Sequence, residues 1–242
     1  MSRKRKGKML EQTIESDFLK EKMNVLIYLP EAFSPMNTFH VCIMQDGDDY
    51  FQLGRVATVS DKLHDEADIE DTVFVGIHYR DKYDRRKKYH PNGEQQENYF
   101  RFLTEEVVPK LDPLLPHQLT QSRALMGDSL AGTLALMTAM RRSDLFSKVI
   151  IQSPYVNDLV MHTVKQANTI HTLEIYHTIG TAETNVQTLV ESDVDFLTPN
   201  RELYSLLKDK GPVYHYKEIE AGKHTWKYWQ EDMPHALQTM FE

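Results

Sequence analysis

The stretch Ala124-Leu125-Met126-Gly127-Asp128-Ser129-Leu130-Ala131-Gly132 places a serine between an apolar run and a helix-forming run. The apolar residues at its start predict a strand, and the continuation from Thr133 to Met137 predicts a helix. A serine on such a tight turn is typical of a nucleophile elbow, where the hydroxyl is exposed above a sheet. Gly127 and Gly132 would let the strand and the helix approach closely. For this stretch alone, an ordinary serine that caps the following helix is the alternative.

Seven other apolar runs accompany this strand, and most of them alternate with helical patterns. Such alternation predicts an α/β fold, with an eight-stranded, mostly parallel sheet that has helices on both faces. The second and third runs have no helix between them, which predicts an antiparallel start. The predicted strands are residues 12–18, 23–29, 40–44, 72–79, 122–126, 148–153, 173–179 and 213–219. The predicted helices are residues 51–65, 94–114, 130–142, 200–210 and 226–241.

Length and charge limit the classes of protein that this chain can represent. The 242 residues suit a single domain over residues 9–242, preceded by a basic, disordered tail over residues 1–8. The formal net charge of −8 gives no electrostatic reason to expect nucleic acid or an anionic membrane as a partner. No apolar stretch is long enough to span a bilayer. Cys42 is the only cysteine, which predicts a free thiol and a cytoplasmic location.

Four loops follow predicted strands at the edge of the sheet where such folds bind ligands. Ser129, Glu183 and His224 each lie in one of them, in one known chain order for a serine, acid and histidine set. A histidine can remove the serine proton, and a carboxylate can orient the histidine. The four loops are Gln45-Asp46-Gly47-Asp48-Asp49, the turn at Ser129, Gly180-Thr181-Ala182-Glu183 and Ala221-Gly222-Lys223-His224.

Alternatives remain open for the base and for the acid. His224 lies beside tryptophans and could be a packing residue, whereas His78 and His90 precede the acid in the chain. Glu183 could be a solvated carboxylate, because the loop after it carries further acids. The carboxylates that could replace it are Glu191, Asp193 and Asp195.

The remaining site residues follow from the needs of acyl transfer. A tetrahedral intermediate needs two N–H donors, which we expect from Leu130 and from the loop at Gly47 and Asp48. An ordinary turn is the alternative for that loop. The charged segment Arg80 to Pro91 could contact an anionic substrate or be a solvated loop. Neither a His-Glu-x-x-His pattern nor paired cysteines are present, so we expect no metal and no cofactor. The candidate substrate-lining residues are Tyr155, Trp226 and Arg80.

These motifs together resemble the putative esterases of the α/β-hydrolase superfamily, which include esterase D-like enzymes, enterochelin esterases and mycolyltransferases. The resemblance covers nearly the whole chain, and its most specific part joins the histidine to two tryptophans. The chain departs from the pattern at Ala131 and in an insert from Thr184 to Val194. The matching segments are Val25-Leu26-Ile27-Tyr28-Leu29-Pro30, Gln45 to Phe51, Gly127 to Gly132, Gly180 to Glu183 and Gly222-Lys223-His224-Thr225-Trp226-Lys227-Tyr228-Trp229.

The resemblance implies an α/β-hydrolase fold and serine-hydrolase chemistry on Ser129, His224 and Glu183. The connections after the later strands are too short for a large lid, so we expect short-chain or polar esters to be cleaved through an acyl-serine intermediate. The partner is then a small-molecule ester, and a homo-oligomer is allowed. The alternatives are an acyltransferase with the same acyl-serine, a siderophore-type lactone esterase and an inactive binding protein.

Overall fold

Eight strands form one sheet in residues 5–242, the part of the chain that this computed structural model describes. Their order across the sheet is β1-β2-β4-β3-β5-β6-β7-β8, and only β2 runs against the others. The predicted mostly parallel sheet is therefore confirmed. The strands are β1 (Lys8–Ser16), β2 (Glu21–Leu29), β3 (Phe39–Gln45), β4 (Thr72–Ile77), β5 (Thr120–Asp128), β6 (Lys148–Gln152), β7 (Glu174–Gly180) and β8 (Val213–Ile219).

Helices connect most of the strands. The predicted helix over residues 51–65 is two helices, since Arg55 adopts a left-handed backbone conformation between them. A π-helical segment, Phe102–Val107, joins two others within the predicted helix over residues 94–114. None of the helices in residues 5–242 is both long and apolar enough to cross a membrane. The helices are α1 (Gly47–Gln52), α2 (Val56–Asp65), α3 (Lys82–Tyr89), α4 (Gln96–Arg101), α5 (Val108–Leu111), α6 (Ser129–Arg141), α7 (Asp158–Gln166), α8 (Leu197–Lys210) and α9 (Trp226–Phe241).

Both faces of the sheet are covered, which explains why its central strands are mostly apolar. Every residue of β3 and of β4 is buried. Val41 and Ile43 join the core that α6, α7 and α8 cover. Cys42 and Met44 point to the other face and join the core that α1, α2 and α9 cover. Side chains of a strand alternate between faces, so two separate cores require an apolar residue at every position.

The antiparallel start involves different neighbours from those predicted. β2 pairs with β1 and with β4, and it runs antiparallel to both. β3 does not pair with β2 but lies between β4 and β5, parallel to each. The strand order is reversed there because the chain passes from β3 through α1 and α2 back to an inner position beside β2.

The predicted tail over residues 1–8 is wrong for its last residues. Lys8 begins β1, which extends four residues further toward the amino terminus than the predicted strand over 12–18. The Gly7 N–H donates to the Tyr28 hydroxyl at 2.9 Å, and the Lys6 ammonium lies 2.6 Å from a carboxylate oxygen of Asp65. Residues 1–4 of that predicted tail lie outside the described residues.

α3 occupies most of the charged segment from Arg80 to Pro91, for which the sequence predicts a loop. Asp81 caps its amino terminus by accepting hydrogen bonds from the backbone N–H groups of Tyr83 and Asp84. The residues that it buries include Asp84 and Lys88, whose side chains pair at 2.8 Å. A helix whose buried face carries charges lacks the apolar periodicity by which helices are predicted.

His177 in β7 is fully buried between two polar side chains. Its Nε2 lies 2.7 Å from the side-chain oxygen of Asn200, which can only accept, so Nε2 carries the proton. Its Nδ1 accepts from the Tyr214 hydroxyl at 2.8 Å. The neutral ring is therefore satisfied on both nitrogens, and burial lowers the pKa of His177 to about 4.

Replacing His177 with phenylalanine should make the free energy of unfolding fall less steeply as the pH is lowered. An unfolded histidine takes up its proton near pH 6.5, whereas the folded one does so only at about 4. The free energy of unfolding should thus fall by up to about 3 kcal/mol as pH drops across this window. Urea unfolding at about pH 7 and about pH 4.5 measures the slope in wild type and in His177→Phe. Equal slopes in the two proteins would contradict this account.

Candidate active site

Ser129 lies on a sharp turn between β5 and α6, with a φ of 51° that non-glycine residues seldom adopt. The turn is tight because the strand and the helix touch through their backbones. A Cβ on Gly127 would lie 2.3 Å from the carbonyl carbon of Ala131, and a Cβ on Gly132 would lie 2.9 Å from the Gly127 oxygen. Both glycines therefore have the role expected from the sequence. Backbone strain of this kind costs about 1–3 kcal/mol and persists where surrounding packing imposes it.

The structure brings Ser129, His224 and Glu183 into one hydrogen-bonded series. His224 Nε2 lies 3.0 Å from the Ser129 Oγ, and His224 Nδ1 lies 2.6 Å from Glu183 Oε2. A carboxylate only accepts, so the proton of the neutral ring is on Nδ1 and the Nε2 lone pair faces the serine hydroxyl. In this tautomer the histidine can accept the serine proton.

The Glu183 carboxylate is buried and held at both oxygens. Its Oε1 accepts from the Ser153 hydroxyl at 2.6 Å and from the Gly180 N–H at 2.9 Å. The indole N–H of Trp229 in turn donates to the Ser153 Oγ at 3.0 Å. Because these donors stand at the ends of β6 and β7 and in α9, the carboxylate is oriented by the sheet. Sequence reasoning missed Ser153, although its place directly after β6 matches the strand-end rule.

Two glycines bring the loops of Glu183 and His224 together. A Cβ on Gly180 would lie 2.4 Å from the Gly222 carbonyl oxygen and 2.8 Å from Glu183 Oε1. The Ala182 N–H donates to that same Gly222 oxygen at 2.9 Å. The ends of β7 and β8 therefore meet at backbone contact distance. A side chain at Gly180 would push the two loops apart and lengthen the bond between Glu183 and His224.

The other candidate acids and bases have different partners. Asp195 accepts a hydrogen bond from the Thr198 N–H in the first turn of α8 at 3.1 Å, and Asp193 accepts from Gln187 at 3.3 Å. His78 stacks on the Tyr79 ring at 4.1 Å. His90 ends α3, and burial lowers its pKa. In the described part of the chain, no three His, Cys, Asp or Glu residues are grouped so as to hold a metal ion.

Arg85 binds Asp46 and Asp128, the residues directly before Gly47 and Ser129. Its guanidinium donates to both carboxylate oxygens of Asp46, at 2.5–2.9 Å, and to the backbone oxygen of Asp128 at 3.3 Å. Asp46 precedes Gly47 and has a φ of 58°, and Asp128 precedes Ser129. One largely buried cation thus joins two strained turns. The sequence indicated a basic segment here but gave no signal that this arginine points inward.

A single guanidinium cannot neutralise two buried carboxylates. Arg85 binds Asp46 in a bidentate manner, whereas the nearest Asp128 side-chain oxygen lies 3.8 Å away. Burial raises the pKa of Asp128 well above its usual range, and the neighbouring Asp46 acts in the same direction. Burial also raises the pKa of Asp46, but the charge of Arg85 and its hydrogen bonds to Asp46 oppose that shift, so Asp128 is the weaker acid of the pair.

The two helix starts expected to donate N–H groups follow β3 and β5, which are neighbours in the sheet. α1 begins at Gly47, directly after β3, and α6 begins at Ser129, directly after β5. The first N–H groups of a helix have no acceptor within it, so those of Gly47, Asp48 and Leu130 can bind an oxygen. Gly47 lies against β4, because a Cβ there would be 2.4 Å from the Gly76 Cα.

Two clefts reach these loops. The larger, of about 490 Å³, is lined by Asp48, His78 and Arg80 among others. The smaller, of about 220 Å³, runs from Leu130 past Tyr155 to α3 on one side and to residues 187–191 of the insert on the other.

The three candidate lining residues do not share a cleft. Tyr155 lies beside Leu130, and its N–H donates to the Ser129 carbonyl oxygen at 3.2 Å. Arg80 lines the larger cleft. Trp226 packs edge to face on Tyr50, with ring centres 4.9 Å apart, and lines neither of the two clefts. Tyr155 is therefore the one that the structure sets beside the elbow. The lining roles of Arg80 and Trp226 stay predictions.

Comparisons with known proteins agree with this architecture. The family described as "Putative esterase" matches residues 16–240. A protein of Bacillus subtilis (strain 168), "Uncharacterized protein YjcH", is 42% identical over 235 residues, which are 97% of this chain and 98% of that one. A ferulic acid esterase structure has a TM-score of 0.79 at 18% identity and covers 97% of this chain and 98% of its own.

A second solved structure is larger than this chain. The enterobactin esterase from Shigella flexneri, determined in the presence of enterobactin, has a TM-score of 0.80 at 18% identity. The match covers 96% of this chain but only 58% of the enterobactin esterase. At such identities the structural matches show a shared fold, and the α/β-hydrolase fold expected from the sequence is confirmed.

Removing the Arg85 charge should destabilise the protein strongly. Arg85→Met would leave the buried Asp46 carboxylate without a counter-charge, which should cost about 3–5 kcal/mol. Adding Asp46→Asn should restore part of this loss, so the two substitutions should be far from additive. Urea unfolding of both single variants and the double variant measures the coupling. Arg86→Met, on the same helix, is the matched control and should cost less than about 1 kcal/mol. Additive effects would contradict the role assigned to Arg85.

Proposed function

The chain belongs to the putative esterase family, and we propose that it hydrolyses carboxylic esters through an acyl-serine intermediate on Ser129. Family membership supports ester hydrolysis in general. The observation that carries the serine mechanism is the hydrogen-bonded series from Ser129 through His224 to Glu183. It supplies a nucleophile, a base and an orienting carboxylate at one edge of the sheet, which is the combination that acyl transfer requires.

In the first half of the reaction the ester becomes an acyl-enzyme. The Ser129 oxygen bonds to the ester carbonyl carbon while His224 Nε2 takes the hydroxyl proton. Glu183 stabilises the resulting imidazolium through the bond at Nδ1. The tetrahedral intermediate then collapses, the bond to the alkoxy oxygen breaks, and His224 gives the proton to the departing alcohol.

Water repeats these steps in the second half. His224 removes a proton from water as the water oxygen bonds to the acyl carbon. Collapse of the second intermediate breaks the bond to Ser129, which recovers its proton from His224. The carboxylic acid is released, and no electrons are exchanged with any cofactor in this cycle.

The developing oxyanion would be bound by backbone N–H groups. Leu130 supplies one from the first turn of α6, and Gly47 or Asp48 supplies the other from the start of α1. Arg85 links these two turns by bonding to Asp46 and to the Asp128 backbone. Such fixed donors stabilise the intermediate without reorganisation, and one donor is worth about a hundred- to a thousand-fold in rate.

The size of the smaller cleft favours short or polar acyl groups. Its volume of about 220 Å³ is somewhat above that of a cavity of about 150 Å³ that holds benzene. The insert that bounds it is short, and its ends pair at Val186 and Val194. A long lipid chain would extend beyond this cleft.

Ser129→Ala should abolish turnover of a short-chain p-nitrophenyl ester. Loss of the nucleophile should reduce kcat by about a million-fold, as in other enzymes of this mechanism. A fluorophosphonate probe should add one label to the wild type, located at Ser129 by peptide mass spectrometry, and none to the variant. Stable labelling of another serine would exclude this assignment.

Glu183→Gln should reduce activity by up to about ten-thousand-fold, because the histidine would lose the group that holds its tautomer. Asp193→Asn is the matched control, since Asp193 bonds to Gln187 and not to the histidine. Circular dichroism establishes that both variants fold. Near-full activity in Glu183→Gln combined with its loss in Asp193→Asn would move the acid to the insert.

A further inference from the structure

Arg86 is a cation that lines the smaller cleft without a carboxylate partner. It follows Arg85, whose guanidinium contacts the residue before Ser129. Consecutive helical residues point about 100° apart. Both arginines line the cleft that also contains Leu130, but the Arg85 guanidinium is directed to the buried Asp46 carboxylate. In residues 5–242 the Arg86 side chain makes no ion pair.

Three other cations near the site pair with carboxylates. Arg85 pairs with Asp46, and Lys88 pairs with Asp84 at 2.8 Å. Arg80, in the larger cleft, lies within 3.9 Å of carboxylates of Glu21, Asp81 and Asp84, at 3.7, 3.6 and 3.8 Å. The larger cleft is therefore balanced in charge, whereas the free positive charge is in the smaller one.

The charges that line the smaller cleft sum to a positive value. Lys82 and Arg86 stand on the α3 side, and Glu191 stands on the insert. Arg85 adds nothing to this balance because Asp46 neutralises it. Arg86 is half-buried, so its charge is less screened by solvent than one on an open surface.

The wall between Arg86 and the elbow is aromatic. The Tyr155 ring lies 5.3 Å from that of His90 and 6.0 Å from that of Phe196, whose ring lies 4.4 Å from His224. A flexible or planar chain can lie along these rings with one end at Ser129 and the other at Arg86. An ester that fits this path is apolar in the middle and negatively charged at its far end.

We propose that Arg86 binds a carboxylate on the substrate, so that the preferred esters carry a negative charge a few bonds away from the ester group. This inference rests on the proposed function, because it takes Ser129 as the point of attack. A guanidinium suits the role because its planar N–H donors match the two oxygens of a carboxylate. Arg86 is thus a binding residue that sets specificity and takes no part in proton transfer.

The test compares esters that differ only in this charge. Mono-p-nitrophenyl adipate has the carboxylate on the acyl side, and methyl p-nitrophenyl adipate is its neutral counterpart. The butyrate ester of para-hydroxybenzoate, compared with that of methyl para-hydroxybenzoate, has the charge on the alcohol side. We expect wild type to prefer the charged member of at least one pair in kcat/KM. Ser129→Ala supplies the blank for uncatalysed hydrolysis.

Three variants distinguish carboxylate binding by Arg86 from an effect of the overall charge of the protein. Arg86→Met should lower kcat/KM for the preferred charged ester by about ten- to a hundred-fold relative to its neutral partner, mainly through KM. Glu191→Gln should shift the same ratio the opposite way by about two- to five-fold, because it removes the negative charge from the cleft. Lys110→Met removes one positive charge from α5, which contributes no residue to the smaller cleft, and should leave the ratio unchanged. The preference should also shrink as salt is added.

The outcomes distinguish this inference from the proposed function. If wild type cleaves the neutral esters and Arg86→Met changes both members of each pair equally, Arg86 does not bind a carboxylate, and the serine mechanism stands. An equal shift of the ratio in Lys110→Met would likewise overturn the role of Arg86. If no ester is cleaved and a fluorophosphonate does not label Ser129, the proposed function fails, and this inference fails with it.

Discussion

The buried carboxylate of Glu183 is the interaction on which the geometry of the site depends. It accepts hydrogen bonds from Ser153, Gly180 and His224, which follow or end three neighbouring strands. Burying a carboxylate costs free energy unless its oxygens accept hydrogen bonds. Moving any of these three donors away would therefore destabilise the folded protein. The loops after β6, β7 and β8 are thereby joined into one rigid edge. His224 can face Ser129 only because this edge is fixed.

Arg85 plays the corresponding part on the other side of Ser129. It connects the end of β3 to the end of β5 through Asp46 and Asp128. Each of these strands leads into a residue with a positive φ, and that strain must be balanced by contacts elsewhere. The ion pair and the glycine contacts at Gly127 supply those contacts. The site thus lies between two polar clusters, one around Glu183 and one around Arg85.

Arg85 and Arg86 are adjacent in α3 but have different surroundings, because consecutive helical residues point in different directions. Arg85 is neutralised by Asp46 and serves the structure. Arg86 lies one residue further and about 100° around the helix, and its charge is available to a ligand in the smaller cleft. A segment that reads as uniformly basic therefore contains both a structural cation and a candidate binding residue. Composition cannot distinguish the two roles, because the position of the Asp46 carboxylate determines which arginine is neutralised.

Local patterns determined most of the sheet and the three residues of the proposed chemistry. Apolar runs predict strands because both faces of the sheet are buried, and Ser129, Glu183 and His224 stand out because each lies in the loop or turn after such a run. The order of β3 and β4, the helix α3 and the partners of Arg85 were decided only by the tertiary structure. These features depend on contacts between residues far apart in the chain. A buried charge is stable only beside its partner, and a one-dimensional pattern does not contain that distance.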